Sequence, residues 1–323
     1  MSAQFLHFET VAKTGNGFIQ VPVFDPIILD LVGKRGYLMQ RIPVKPATGN
    51  PTRYFEEKKA TRSAAFQNPQ ALAASKFNVV RVEKSAFVKA ITNEIEFSHF
   101  DREVGAQQGL YNGLTEADIR SMVEDLLMLQ DEKVWTGNDT SLSESTTNEY
   151  VGLLTQIKQK GEIADGTMIL DAVRTEVARM AANKDYRVKP SAIVVNPLTY
   201  DMIEKEEQSR QNNIKNYEVE VVAGIKVPAV MTAMGALPII PDPYLPVEDG
   251  TSGDTGKKLH HVAILSENLL ERRYVTSPNP RIFAFGFEDE SLNEKYMALQ
   301  YDCIIAKGEE YAHTILTKKV ANS

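Results

Sequence analysis

Gly250-Thr-Ser-Gly-Asp-Thr-Gly-Lys-Lys258 is a stretch of this 323-residue chain where residue types could do chemistry. A glycine-rich loop ending in Gly-Lys-Ser/Thr cradles phosphates with backbone N–H groups and offers a hydroxyl to magnesium. Here Gly250 and Gly256 stand one residue too far apart for that loop, and Lys258 replaces the hydroxyl. An exposed loop tip is the better reading. Thr14-Gly-Asn-Gly-Phe18 lacks the strand before it and the helix after it that a dinucleotide turn needs. The 5 histidines, His7, His99, His260, His261 and His313, never show the i, i+4 spacing of a helical metal site. Adjacent His260 and His261 point to opposite faces of a strand. Cys303 is the single cysteine, so internal disulfides are excluded, and its apolar surroundings suit a buried structural thiol. No Gly-x-Ser-x-Gly elbow occurs, and Asn138-Asp-Thr140 matches a glycosylation acceptor without a secretory signal to give it meaning. No catalytic, cofactor-binding or metal residue is therefore assigned, and no cofactor is expected.

Two polar clusters remain. Arg53, Lys58, Lys59 and Arg62 are the densest basic group, with Glu56 and Glu57 among them, and read as a solvated loop or as a contact arm. Val134 to Ile157 holds the single tryptophan, Trp135, an Asn-Asp-Thr turn and a polar run before an apolar restart. That stretch is either the lip of an active site or a loop between structural elements.

The elements around these residues are ordinary for a soluble protein, with 43% apolar and 24% charged residues. The length favours two domains, or one with a large excursion. No apolar run reaches the roughly 18 residues of a membrane span, and the N-terminus lacks a signal-peptide pattern, so synthesis in the cytoplasm is expected. The net charge of −7 is unevenly spread: residues 1–89 carry 13 Lys/Arg against 6 Asp/Glu, and the remainder 23 against 37. A basic first quarter on an acidic body suits nucleic acid, and equally suits one copy's arm lying on another's body. Basic and aromatic residues are not interleaved as base-stacking surfaces require.

Residues 1–52 read as an irregular arm with one short apolar helix or turn around Ile27–Val32. Residues 76–97 form a β-prone, polar-studded ribbon, which needs support from elsewhere. The clearest helix is expected over 115–136, capped by Thr115 with Asp118 three residues on. Its core residues are Ile119, Met122, Val123, Leu126, Leu127 and Trp135. Leu126–Leu129 wraps its later half, which predicts burial on more than one side. Gly137 is expected as its C-terminal cap. An α/β segment follows: a helix with Leu170, Val173, Val177 and Met180 on one face, a strand Ser191–Val195, a helix capped by Asn196-Pro197, and a strand pair around Ala223-Gly224. Ala236–Pro246 reads as a proline-paced edge. Met297, Leu299, Tyr301, Cys303 and Ile305 are the buried row of a late strand, and Glu309–Leu316 supplies one more.

In that order the segments resemble the major capsid proteins of tailed bacteriophages with the Hong Kong 97-type fold. The carriers are the ribbon FVKAITNEIEFS, the helix TEADIRSMVEDLLMLQDEKVWTG, its ending WTGNDT…YVGLLTQI, and the strand–Asn-Pro–helix AIVVNPLTYDMI. The resemblance implies an α+β chain: an arm (1–52), an extended hairpin loop or E-loop (53–98), and a peripheral domain (99–160) with its spine helix at 115–136. An axial domain (161–261) and return strands (262–323), mainly of the peripheral domain, complete it. It implies hexamers and pentamers closing an icosahedral shell around double-stranded DNA, held weakly and non-specifically. It further implies a virion location, a separate scaffolding protein, a portal, possible decoration proteins and no membrane. The early start of the arm leaves no room for a fused scaffold. Arg53, Lys58, Lys59 and Arg62 would contact a neighbouring subunit; crosslinking is not expected. An encapsulin-like nanocompartment shell and a soluble α/β enzyme are the alternatives.

Overall fold

The computed structural model describes residues 35–57, 64, 66–70, 80–107, 111–186, 188–209, 217–222, 225–250, 254–287 and 293–321. Residues 1–34, most of the expected arm, lie outside them, and the elements described belong to the unit Lys34–Ser323. Helix α1 (Tyr37–Arg41) and strand β1 (Val44–Pro46) open it, then a ribbon of β2 (Thr52–Glu57) and β3 (Arg81–Ala86). Strand β4 (Lys89–Ser98), helix α2 (His99–Gln107) and the long helix α3 (Tyr111–Thr136) follow. Next come α4 (Leu153–Gln156), β5 (Lys160–Ile163), α5 (Ile169–Ala181), β6 (Ala192–Val195) and α6 (Pro197–Ser209). The remaining strands are β7 (Tyr217–Val222), β8 (Ile225–Thr232), β9 (Gly235–Pro241), β10 (Val247–Asp249) and β11 (Lys257–Leu265). After a 3-10 turn come β12 (Leu270–Tyr274), β13 (Arg281–Phe287), β14 (Asn293–Ala306) and β15 (Thr314–Ala321).

Two large sheets result. An 8-stranded mixed sheet runs β5-β15-β11-β6-β9-β8-β7, with β10 added to β11. A 5-stranded sheet runs β1-β12-β14-β13, with β4 on the other edge of β14. The central strands of the first sheet are apolar without a break because both faces are covered. Ile193, Val195, Val262 and Ile264 face the α5 side, packed on Ile169, Val173 and Val177. Val194, Ala263 and Leu265 face a second core shared with Leu270 and Ile304 of the other sheet. Trp135, Leu38, Leu153 and Ile157 fill that junction, so the end of α3 is wedged where the sheets meet.

The structure corrects several expectations. Helix α3 begins by Tyr111, so Thr115 lies inside it and caps nothing; tertiary context overrides the weak propensity of Asn112-Gly113, a cost of about 1 kcal/mol for the glycine. Residues 89–98 leave the hairpin and pair with β14, from Ser98 opposite Asn293 to Lys89 opposite Asp302. Strand β9 is not an edge: it lies between β6 and β8, with Leu237, Ile239 and Ile240 buried. Its prolines are tolerated because pairing with β6 starts only at Ile239, past Pro238, and ends at Pro241. On β14 the buried row is Ala298, Gln300 and Asp302, while Tyr301 is 41% exposed. The small Ala298 admits Met122 and Leu126 of α3 against that face, which turns Met297, Leu299 and Tyr301 away from the helix. Strand β15 starts at Thr314, after a turn. The last turns of α3 are buried around most of their girth, but through Gln130, Asp131, Val134 and Trp135; Leu129 stays 42% exposed.

Gly137 is not a left-handed cap, since its φ is not positive. The residue is glycine because a Cβ there would lie 2.3 Å from the Tyr150 carbonyl oxygen. A Cβ on Gly152 would lie 2.4 Å from the Trp135 carbonyl oxygen. The two backbones cross in contact, with Gly152 N–H donating to Gly137 O at 3.2 Å and Asp139 N–H to Tyr150 O at 3.1 Å. Replacing either glycine with alanine is expected to destabilise the fold by about 3 kcal/mol or more, because backbone must move. Gly166→Ala, at φ 81 with nothing within 4 Å, serves as the control, with an expected loss of only about 1–2 kcal/mol. Urea unfolding of the three variants measures the difference.

Candidate functional site

The ribbon is fastened to the body at its base. Tyr54 and Ala86 pack with Cys303 and Ile305. The Arg273 guanidinium lies 5.6 Å from the Tyr54 ring centroid and donates to Thr52 Oγ1 at 2.9 Å. Lys84 bridges Glu56 at 2.7 Å and Glu309 at 3.4 Å, while Gly308 N–H donates to Glu56 at 3.2 Å. On the opposite face of the ribbon Phe55 is 65% exposed. Of the expected contact residues, Arg53 is exposed and pairs with Glu83 at 3.1 Å on the ribbon itself. Lys58, Lys59 and Arg62 lie outside the described residues. The expected helix core divides into two grades: Met122, Leu126 and Trp135 are buried, and Ile119, Val123 and Leu127 are partly buried around the Met122–Leu126–Ala298 cluster.

The exposed face of α3 carries Asp118, Asp125 and Glu132, two helical turns apart each time, with Ser121 and Leu129 between them. Asp125 accepts from Asn93 Nδ2, a neutral donor, at 3.0 Å. These carboxylates form an acidic stripe on the exposed face of the helix from Asp118 to Glu132.

Pattern reading missed the buried charges. Lys89 Nζ meets Asp139 Oδ2 at 2.6 Å and Ser145 Oγ at 2.6 Å, and also donates to the Thr147 carbonyl. Burial raises the Asp139 carboxyl, but hydrogen bonds from Lys89 and Thr146 outweigh it and hold the group at about 2. Asp139 is therefore a fastening between β4 and the polar loop, more than a turn residue, and Ser145 and Thr147 of that loop complete it. Arg272 Nε meets Asp302 Oδ2 at 2.6 Å, with Gln130 Nε2 at 2.5 Å and the Tyr150 hydroxyl donating to the other oxygen. Burial and the Asp302 charge keep the Tyr150 phenol well above its usual value, so it stays a donor. Glu271 gathers Lys307 at 2.6 Å, Lys45 at 2.7 Å and Arg273 at 3.1 Å. Burial raises Glu271, but those bonds outweigh it and hold it at about 2. No apolar period announces such groups; they are found only once the strands that carry them are brought together.

These clusters are sealed. Asp302 is 0% exposed and Asp139 1% exposed, so no substrate reaches them. Burial pushes the Cys303 thiol up to about 12, which makes it inert as a nucleophile. His260 and His261 do face opposite ways, to Thr199 at 3.0 Å and Thr317 at 3.0 Å. Among the described residues no group of three metal-ligating side chains forms, and no helix is long and apolar enough to cross a membrane. His313 accepts from Ser266 N–H on Nδ1 at 3.3 Å and reaches Lys307 O from Nε2 at 3.1 Å, the pattern of a neutral ring. Burial lowers it to about 4.

The arrangement matches known folds. No protein-family model and no curated protein matches the sequence. The cryo-EM structure of the holo-SrpI encapsulin complex from Synechococcus elongatus is 12% identical, with TM-score 0.60 over 95% of this chain and 94% of that one. The capsid of Myoviridae phage XM1 is 12% identical, with TM-score 0.56 over 94% of this chain and 99% of that one. The head structure of Helicobacter pylori bacteriophage KHP40 is 10% identical, with TM-score 0.59 over 96% of both chains. The chain thus has the α+β Hong Kong 97-type fold along nearly its whole length.

Two outcomes are expected from the buried charges. Lys89→Met leaves Asp139 buried without its cation, and a loss of about 3–5 kcal/mol is expected in denaturant unfolding. On acidification, His313 titrates at about 4 when folded, against about 6.5 unfolded, so the unfolded state takes up the proton first. Its share, at most about 3 kcal/mol, is lost as pH falls from about 6.5 to about 4. The Asp139 share is lost below that, between about 4 and about 2. His313→Leu should flatten the upper part of the stability–pH curve and leave the lower part in place.

Proposed function

We propose that the chain is the major capsid subunit of a tailed bacteriophage, assembling as hexamers and pentamers into an icosahedral shell around double-stranded DNA. The observation that supports this most is the fold match over more than nine-tenths of each compared chain. In this reading α3, β4, β12, β13 and β14 form the peripheral domain, and the 8-stranded sheet with α5 and α6 forms the axial domain. The ribbon is the E-loop and residues 1–34 belong to the arm. The subunit catalyses no reaction, and its buried charged groups serve to lock strands together. Assembly takes place in the host bacterial cytoplasm, with a separate scaffolding protein, a portal and possible decoration proteins as partners. Contact with DNA is weak and non-specific, in keeping with a body whose residues 90–323 carry 37 acids against 23 bases.

Arg53, Lys58, Lys59 and Arg62 clamp an acidic neighbour, and the α3 stripe of Asp118, Asp125 and Glu132 is their target. Phe55 adds an apolar contact beside it. Modest contacts of this kind, repeated around every copy, close a stable shell. The encapsulin match supports a second reading, a nanocompartment enclosing protein cargo.

Size-exclusion chromatography and negative-stain microscopy of the purified protein test the proposal. Rings or shells are expected, and a persistent monomer, even with a scaffold, would sink both shell readings. Nucleic acid inside particles from infected or expressing cells favours the capsid; particles filled with protein favour the nanocompartment. Reversing Lys58, Lys59 and Arg62 to Glu should weaken assembly strongly at low salt and less at high salt, where surface charges are screened. Unchanged assembly at both would overturn the clamp.

A further inference from the structure

Strand β13 leaves one margin of the 5-stranded sheet open. It ends the order β1-β12-β14-β13, so among the described residues its outer edge has no partner strand. Such an edge presents a row of unpaired N–H and C=O groups, which proteins guard with charge, proline or a covering element. The opposite margin is guarded in that way, because β4 carries exposed Glu94 and Glu96. Strand β13 has no such guard. From Ile282 to Phe287 it reads Ile-Phe-Ala-Phe-Gly-Phe, without a charge or a proline. Ile282 is 50% exposed and Phe285 46% exposed, on opposite faces of the strand, and Ala284 is exposed as well. Its ladder with β14 is regular from Arg281 to Phe285 and shifts only beyond that. The Arg281 guanidinium lies 5.2 Å from the Phe283 ring centroid and meets no carboxylate among the described residues. Glu288, Asp289 and Glu290 follow the strand in the sequence.

A strand with a base at its head and acids past its tail is complementary to an antiparallel copy of itself. We propose that β13 pairs antiparallel with β13 of a second copy, with Ala284 of each opposite Phe285 of the other. That register sets Arg281 of each copy opposite Glu288 of the other, so both ends of the contact match in charge. It sets Ile282 opposite Phe287, a β-branched side chain against an aromatic one. It sets Phe283 opposite Gly286, where the missing side chain leaves room for the ring. The two sheets then run on as one, joined by main-chain hydrogen bonds across an isologous contact. This contact goes beyond the shell reading and stands whether or not the subunits close a shell.

Disulfide trapping on the full-length chain decides it. Ala284→Cys and Phe285→Cys are made separately and oxidised mildly with diamide, alone and as an equimolar mixture; native Cys303 is buried and stays out of the reaction. Residues opposite each other share a face of the sheet, whereas 284 of one copy and 284 of the other would lie on opposite faces. A crosslinked dimer is therefore expected from the mixture and not from either variant alone. No dimer in any sample, or as much from one variant alone as from the mixture, overturns the inference. Thermal unfolding checks that the variants fold, and charge variants test the same register without touching the centre of the strand. Arg281→Glu and Glu288→Arg should each raise the dimer dissociation constant about tenfold, since two like-charge pairs now face each other. Mixing the two, or placing both in one chain, should restore it; recovery in neither case overturns the inference. Shells without the crosslink leave the shell reading standing and sink this contact. Crosslinked dimers that never form shells do the reverse.

Discussion

At Gly137 and Gly152 two stretches of backbone cross more closely than any side chain permits. Much of the molecule is referred to that crossing. On one side it ends α3 and sets Trp135 into the junction core. On the other it launches α4, whose Leu153 shares that core, and Gln156 there bonds to both Val151 and Ile304 across it. Just beyond, Asp139 captures Lys89 and so ties β4 to the same point. The 5-stranded sheet, the 8-stranded sheet and the long helix thus meet around a few residues. A local steric requirement has become a global alignment of two sheets.

The Hong Kong 97-type fold was legible in the order of the segments, and the strongest periodic elements were legible individually. Helix α5 buries Leu170, Val173, Val177 and Met180 as its spacing demanded, and Asn196 caps α6 through its side chain on Leu198 N–H. The failures share a cause. Apolar alternation on β14 pointed to Met297, Leu299 and Tyr301 as the buried row, yet the helix chose the face of Ala298, where volume was small enough for close approach. Pro238 argued against a central strand, yet its neighbour on one side begins one residue later. Gly137 was legible as a break but not as a crossing, because the partner carbonyl comes from Tyr150 on another segment. Binary pattern records how greasy a residue is; it does not record which other chain segment will come to lie against it.

The buried ions show the same gap. Lys89 and Asp139 are far apart in the chain, and neither belongs to a motif. Once paired in a dry setting they fix one arrangement of β4 and the polar loop, and a strand slip would leave a charge buried alone. Similar pins at Arg272–Asp302 and around Glu271 hold β12 and β14 in register. These pins turn polarity inward, where it resists sliding between strands. The surface keeps an acidic helix and an uncovered strand face.

Strand β14 spans Asn293–Ala306, and at about 3.3 Å per residue it reaches roughly 45 Å. It is hydrogen-bonded to β4 at one end, and its other end is rooted in the junction core. Tension applied along it meets the β4 ladder in shear, so the paired residues must yield together and cannot peel one at a time. Pull directed across the sheet would instead unzip β13, whose ladder with β14 already shifts register between Phe285 and Phe287. The fold is therefore mechanically anisotropic, stiff along the 14-residue strand β14 and soft at one margin of its sheet.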